Sequence, residues 1–321
     1  MKHYSQLTQE QRYHISGLLK AGNSQTTIAE EVGTHKSTIS REIRRNCGDR
    51  GYRPKQAHQL AVNKREQAEK HIKLTSALKQ IVIEKIILDW SPDQISGYLK
   101  RDHTADISHE RIYQFILEDK KSGGTLHSHL RHSGKRRKKR CGTQDRRGQI
   151  KNRVSIDERP AIVDKKQRIG DWEGDTIIGK QQQKAIVTLV DRASKMTRIG
   201  RVATKHSEVV STIMIDLLKP MELITHTVTL DNGKEFSGHE KIAEALNIDI
   251  YFAHPYSSWQ RGLNENTNGL IRQYIKKGSS FEGINDKRIA FIENRLNNRP
   301  RKSLGYYTPN EVYQNALIRA G

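Results

Sequence analysis

Cysteine is nearly missing: the 321-residue chain has two, Cys47 and Cys141, in different regions. Two thiols cannot build a disulfide framework, and their scarcity fits a reducing, cytosolic setting. A cysteine-paired zinc module is excluded as well. His127, His129 and His132 cluster, but they lack the further ligands of the usual structural zinc sets. No long apolar run and no signal-peptide pattern is present, so neither a membrane span nor secretion is expected. Acid is also short: 36 Asp and Glu face 57 Lys and Arg, a formal net charge of +21. A surplus that large points to a polyanion, with nucleic acid ahead of an anionic membrane surface. The length allows two or three domains and a sizeable core.

Residues 1–50 read as a helix-turn-helix DNA-binding domain. Thr8 starts a helix with Glu10 and Gln11 in its first turn, Tyr13, Ile15, Leu18 and Leu19 on its apolar side, and Gly22-Asn23 as its stop. A short helix over 25–32 follows, then Gly33 as the turn and a second helix from Ser37 to Asn46. Ala29, Gly33 and Ile39 supply the small contact residue, the turn glycine and the apolar anchor of such a motif. The second helix presents Lys36, Ser37, Thr38, Ser40, Arg41, Arg44 and Arg45 to a groove and its phosphates.

Residues 51–74 are polar and basic, and Tyr52-Arg53-Pro54, read as a helix breaker, marks them as a linker, with room for a helix around Gln56 to Lys70. Residues 75–120 form a second, weaker helix-turn-helix-like group: an apolar helix around Leu78 to Leu88, a helix capped by Ser91 and opened by Pro92, and a third capped by Ser108. Its last helix carries few positive charges, so DNA contact competes with protein packing or dimerisation. Residues 121–155 are a basic connector: from Arg131 to Arg153 there are eleven Lys or Arg and one acid, Asp145. Lys135, Arg136, Arg137, Lys138, Lys139 and Arg140 form its densest run, suited to phosphate without reading sequence.

From residue 156 to 321 apolar, β-rich stretches alternate with helices, a pattern that by itself says α/β. Three acidic positions stand out here. Asp175 lies in the strand Trp172–Ile178, Asp231 ends a strand before the turn dipeptide Asn232-Gly233, and Glu265 lies where a helix begins. Hard divalent cations prefer oxygen ligands, and two of them sharing carboxylates clamp a phosphate during in-line displacement. Strand alternation leaves the choice open, since Asp171 and Glu173 share the face of Asp175.

Four ordered motifs narrow it. Trp-Glu-Gly-Asp at 172–175, Leu-Asp-Asn-Gly-Lys-Glu-Phe at 230–236, Trp-Gln-Arg-Gly-Leu-Asn-Glu-Asn-Thr-Asn-Gly-Leu-Ile-Arg-Gln-Tyr at 259–274 and Leu-Asn-Asn-Arg-Pro-Arg-Lys-Ser-Leu-Gly at 296–305 cover most of 170–310. Together they resemble the DDE transposases of the IS30 group of insertion sequences. The resemblance implies a multidomain chain: all-α helix-turn-helix units followed by an α/β, ribonuclease-H-like integrase catalytic core. It selects Asp175, Asp231 and Glu265 as catalytic residues and ligands of two Mg²⁺ ions, with Mn²⁺ as a substitute, and leaves Trp172 and Glu173 structural. Asn268 and Arg272 share a helix face with Glu265. Asn268 is expected beside the ion's ligands and Arg272 on a DNA phosphate.

The activity implied is cleavage at element ends, after binding of their terminal inverted repeats, and strand transfer into double-stranded target DNA. A homodimer or larger assembly follows, because two ends must be handled together, in a bacterial, cytoplasmic, nucleoid-associated setting. Residues 255–262 are expected to be a loop positioning DNA. Asn297, Arg299, Arg301 and Lys302 are divided between phosphate contact and closing the fold. Two other functions stay open: a structure-specific nuclease of the same fold, and a DNA-binding repressor whose catalytic-like domain only oligomerises. The intact acidic positions argue against the repressor.

Overall fold

Thr8 caps the first helix through a reciprocal pair: its hydroxyl accepts from the Gln11 N–H, and Gln11 Oε1 accepts from the Thr8 N–H. The structure, a computed structural model, describes residues 6–67, 74–131, 150–180, 184–255 and 257–320. The chain forms two compact units, Met1–Ile72 and Lys73–Gly321.

In the first unit, α1 (Gln9–Lys20), α2 (Gln25–Glu31) and α3 (Lys36–Asn46) pack around Leu7, Ile15, Ile28, Ala29 and Ile39. Gly33 turns α2 into α3 with φ +70°, a left-handed conformation that costs glycine little. Tyr13, expected on the apolar side, is exposed, and the inward place beside it belongs to Arg12. Arg12 is buried because Glu42 answers it with two bonds, 2.7 and 3.1 Å. In the stretch expected as a linker, the helix allowed around Gln56 to Lys70 is α4 (Pro54–Glu66), which begins two residues earlier and fully buries Ala57. Pro54 opens this helix rather than breaking it, since a first turn needs no N–H.

The second unit begins with α5 (Ser76–Ile87), α6 (Pro92–Arg101) and α7 (His109–Lys121), capped by Thr75, Ser91 and Ser108. Leu126 and Leu130 join their core, so this group runs past the expected end at 120. The sheet follows: β1 (Val154–Ser155), the short helix α8 (Ala161–Lys165), β2 (Asp171–Ile178), β3 (Ala185–Asp191), β4 (Thr197–Val202), α9 (Ser207–Leu218), β5 (Thr227–Leu230), α10 (His239–Leu246) and β6 (Asp249–Phe252). The remaining helices are α11 (Gly262–Tyr274), α12 (Asp286–Asn297) and α13 (Pro309–Ala320).

Strands lie in the order β1-β6-β5-β2-β3-β4. β2, β3 and β4 are antiparallel neighbours, while β5 runs parallel to β2 and to β6. β1 precedes the expected boundary at 156, and Ile150 is already in the core. Period-two alternation gives the sheet two apolar faces. Trp172, Val187, Leu189, Val228 and Leu230 face α9 and α10, while Ile177, Ile186 and Ile199 face α11 and α12. Among the described residues no helix is long and apolar enough to cross a membrane.

Candidate active site

Strand register brings the first two acidic positions together. β2 and β5 pair as far as Glu173 opposite Thr229, and just beyond that pair Asp175 and Asp231 come close enough to share one counter-ion. Asp231 follows Leu230, which points to the α9 side, so alternation turns Asp231 to the α11 side with Asp175. One cation joins them: the Arg261 guanidinium lies 3.4 Å from Asp175 Oδ1 and 3.2 Å from Asp231 Oδ2. Arg261 also donates to the Gly174 carbonyl at 3.2 Å.

The carboxylates have their own supports. Asp175 accepts from the Thr176 N–H at 2.9 Å and from Asn268 Nδ2 at 2.7 Å; Asp231 accepts from the Gly233 N–H at 2.9 Å. Burial pushes the Asp175 carboxyl above the usual carboxylate range, Arg261 opposes this, and the nearby Asp231 adds to it. Two carboxylates on neighbouring strands, already sharing a cation, are oxygen donors of the kind a hard divalent ion prefers.

Glu265 stands in the first turn of α11, three residues before Asn268 and so on the same side of the helix. It is exposed, and no group of three or more His, Cys, Asp or Glu able to hold a metal is gathered among the described residues. The structure therefore joins Asp175 to Asp231 and leaves Glu265 apart from both. Arg261 belongs to the third motif but is a site residue that sequence reasoning missed; its only signal was its place four residues before Glu265.

The other two acids of β2 have separate employment. Asp171 accepts from Arg168 at 2.7 Å and from the Thr227 hydroxyl at 2.8 Å. Glu173 is buried against Arg192 at 2.9 Å and accepts the Asn264 N–H at 3.2 Å, seating the start of α11 on the sheet.

Comparison with known proteins places this geometry. Residues 3–46 match the family described as Helix-turn-helix domain, and residues 165–258 match the Integrase core domain. The chain is 47% identical over 313 residues to the transposase for insertion sequence element IS4351 of Bacteroides fragilis, covering 97% of this chain and 96% of that protein. It is 37% identical over 326 residues to the transposase InsI for insertion sequence element IS30A of Escherichia coli K12, covering 97% and 84%. The chain belongs to the IS30 family of insertion-sequence transposases. Among solved structures, the catalytic core domain of BIV integrase is 18% identical, with a TM-score of 0.38, over 47% of this chain and 97% of that one. The helix-turn-helix match falls on α1 to α3 of this chain, and the integrase-core match on its mixed sheet from β2 to β6.

In this transposase the expected groove-reading residues lie on α3. Lys36, Ser40, Arg41, Arg44 and Arg45 are exposed, and Ser37 and Thr38 are half-buried at its first turn, where His35 Nδ1 accepts from the Ser37 N–H at 3.2 Å. Lys135, Arg136, Arg137, Lys138, Lys139 and Arg140 lie outside the described residues. Arg272, expected on a phosphate, instead donates to the Ile178 carbonyl at 3.1 Å and sits over the Phe281 ring. The last motif closes the fold: Asn297 makes both amide bonds to the Thr197 backbone, and buried Arg299 donates to the Tyr274 hydroxyl at 2.8 Å. Burial pushes the Tyr274 phenol up to about 12, so it stays protonated and donates to Asp89 at 2.9 Å.

Proposed function

We propose that this transposase cuts and joins DNA at the Asp175–Asp231 pair with Glu265 as the third carboxylate, and recognises the terminal inverted repeats of its element through α3. The observation that supports the reading is that Asp175 on β2 and Asp231 just after β5 share one guanidinium, on the face covered by α11. Divalent cations, Mg²⁺ or Mn²⁺, held by these carboxylates would supply activation of the attacking oxygen and stabilisation of the departing one. The chain's own residues do the positioning. Asn268 and the Thr176 N–H fix the two oxygens of Asp175. The Gly233 N–H fixes one oxygen of Asp231, and the other meets Arg261. Glu265 is reached along the α11 face from Asn268. Cations on α3 neutralise backbone phosphates while its polar side chains meet base edges.

The test is Asp175→Asn, Asp231→Asn and Glu265→Gln in the full chain, with end cleavage, end joining and repeat binding measured separately. Cleavage and joining are expected to fall together by about two to three orders of magnitude, as for loss of a charge-stabilising group. Repeat binding is expected to persist. Joining without loss in the Glu265→Gln protein would remove that residue from the site. A product that is cut but never joined in the unsubstituted protein would favour the nuclease reading. The homodimer or larger assembly belongs to the same proposal, since joining uses two ends; sedimentation on end-containing DNA tests it.

A further inference from the structure

Arg261 is half-buried and held more loosely than the arginines of the two buried ion pairs. Arg12 meets Glu42 at 2.7 Å and Arg192 meets Glu173 at 2.9 Å, distances normal for charge-assisted bonds. Arg261 reaches its two aspartates only at 3.4 and 3.2 Å, and its buried Nε has no partner. The hold is long and incompletely satisfied, although the side chain is only 12% exposed. A guanidinium so placed also leaves the pair short of charge balance, one positive charge against two negative.

The aspartates have further supports. Thr176 and Asn268 also hold Asp175, and the Gly233 N–H holds Asp231. Arg261 itself ends a short 3-10 turn, Ser258–Arg261, outside the sheet and before α11. That turn is pinned at Gln260, whose side chain meets His254 through Oε1 at 2.8 Å and Nε2 at 3.0 Å. Trp259 within it is 75% exposed. The segment can shift without unpacking either apolar face.

We propose that Arg261 is the exchangeable counter-cation of the Asp175–Asp231 pair: its guanidinium holds the two carboxylates together until a divalent cation takes its place, and the exchange releases the Ser258–Arg261 turn. This rests on the metal-binding reading of the two aspartates. A cation with two charges balances the pair where one guanidinium does not, so exchange is driven by charge as well as by the poor geometry of the present contact. Arg261 is then a positioning residue of the resting site that competes with the metal.

The experiment uses the full chain without DNA. Mn²⁺ binding is measured by electron paramagnetic resonance for the unsubstituted protein, Arg261→Gln, Arg261→Lys, Asp175→Asn and Asp231→Asn, with thermal melting to establish folding. Arg261→Gln is expected to bind Mn²⁺ more tightly, by about tenfold as for a typical coupling between competing sites, and Arg261→Lys by less. In parallel, Mg²⁺ is titrated against tryptophan emission. Trp90 and Trp172 are buried, 6% and 0% exposed, so Trp259 is the reporter near the exchange, and Trp259→Phe assigns its signal. A saturable Trp259 change, lost in Asp231→Asn, is expected.

If the two aspartate variants bind Mn²⁺ as the unsubstituted protein does, the metal reading itself fails. If they lose binding while a folded Arg261→Gln binds no more tightly, the exchange proposal fails and the metal reading stands. Should Arg261→Gln not fold, the decision passes to Arg261→Lys and the titration. Unchanged Trp259 emission across aspartate-dependent Mg²⁺ saturation overturns the proposal.

Discussion

At the residue scale, the neighbouring acids of β2 separate by their partners. Glu173 and Asp175 share a strand face, yet one meets a buried arginine and the other a half-buried, loosely held one. Glu173→Gln keeps volume and hydrogen-bonding atoms but leaves Arg192 without its buried counter-charge. A loss of roughly 2–3 kcal/mol is expected, below the cost of deleting a partner outright. For a unit of this size that lowers the melting midpoint by about 5 °C or more. Below that midpoint the variant should still cleave and join, because Glu173 faces Arg192 and the α11 backbone rather than the Asp175–Asp231 gap. A deep loss of joining in a folded Glu173→Gln protein would place Glu173 in the chemistry. Melting curves and joining assays on one preparation decide it.

Among elements, α3 carries two opposite jobs on two faces. Its inner face holds Ile39, Glu42 and Asn46, with Glu42 also accepting from the Tyr52 hydroxyl at 3.1 Å and from Asn46 at 2.9 Å. Glu42→Ala removes a carboxylate that answers Arg12, Asn46 and Tyr52 together. The first unit should lose about 3–5 kcal/mol, as when one partner of a buried pair is removed. Repeat binding should go with it at physiological temperature. The outer face should behave otherwise. Replacing Arg41, Arg44 and Arg45 by Ala should leave the melting curve nearly unchanged. Each DNA phosphate deprived of its arginine should lower the log–log salt dependence of repeat binding by about one. An unchanged slope would show that these arginines face solvent in the complex.

For the whole molecule, the second helical group is part of the catalytic unit. Gln94 donates to the Pro300 carbonyl at 2.8 Å, Arg101 pairs with Glu311 at 3.1 Å, and Tyr274 at the end of α11 reaches Asp89. Tyr306 packs where a Cβ on Gly97 would lie 2.3 Å from its ring, a close approach only glycine permits. A fragment of residues 73–321 should therefore melt in one transition. One starting at 156 should melt lower or aggregate, because it strips these partners and also β1 from the sheet. Calorimetry of the two fragments is the measurement. Two separate transitions in the longer fragment would mean that helices and core are only loosely joined.

The sequence by itself determined what short-range rules govern. Capping residues set the starts of α1, α6 and α7, apolar, β-rich stretches marked the strands, and the charge surplus pointed to nucleic acid. Four motifs in order were enough to mark the transposase family. What lay beyond reach depended on side chains far apart in the chain. Arg12 reads as a surface residue until Glu42, thirty positions on, makes its burial tolerable. Pro54 reads as a breaker until α4 packs in the first unit. Asp171, Glu173 and Asp175 are equivalent by alternation, and only the register of β2 with β5 and the descent of α11 give each its own partner. Arg261 is the clearest case. Local sequence says only that a cation precedes a helix, whereas the tertiary structure sets it between two carboxylates, because electrostatic partners are chosen by distance in space.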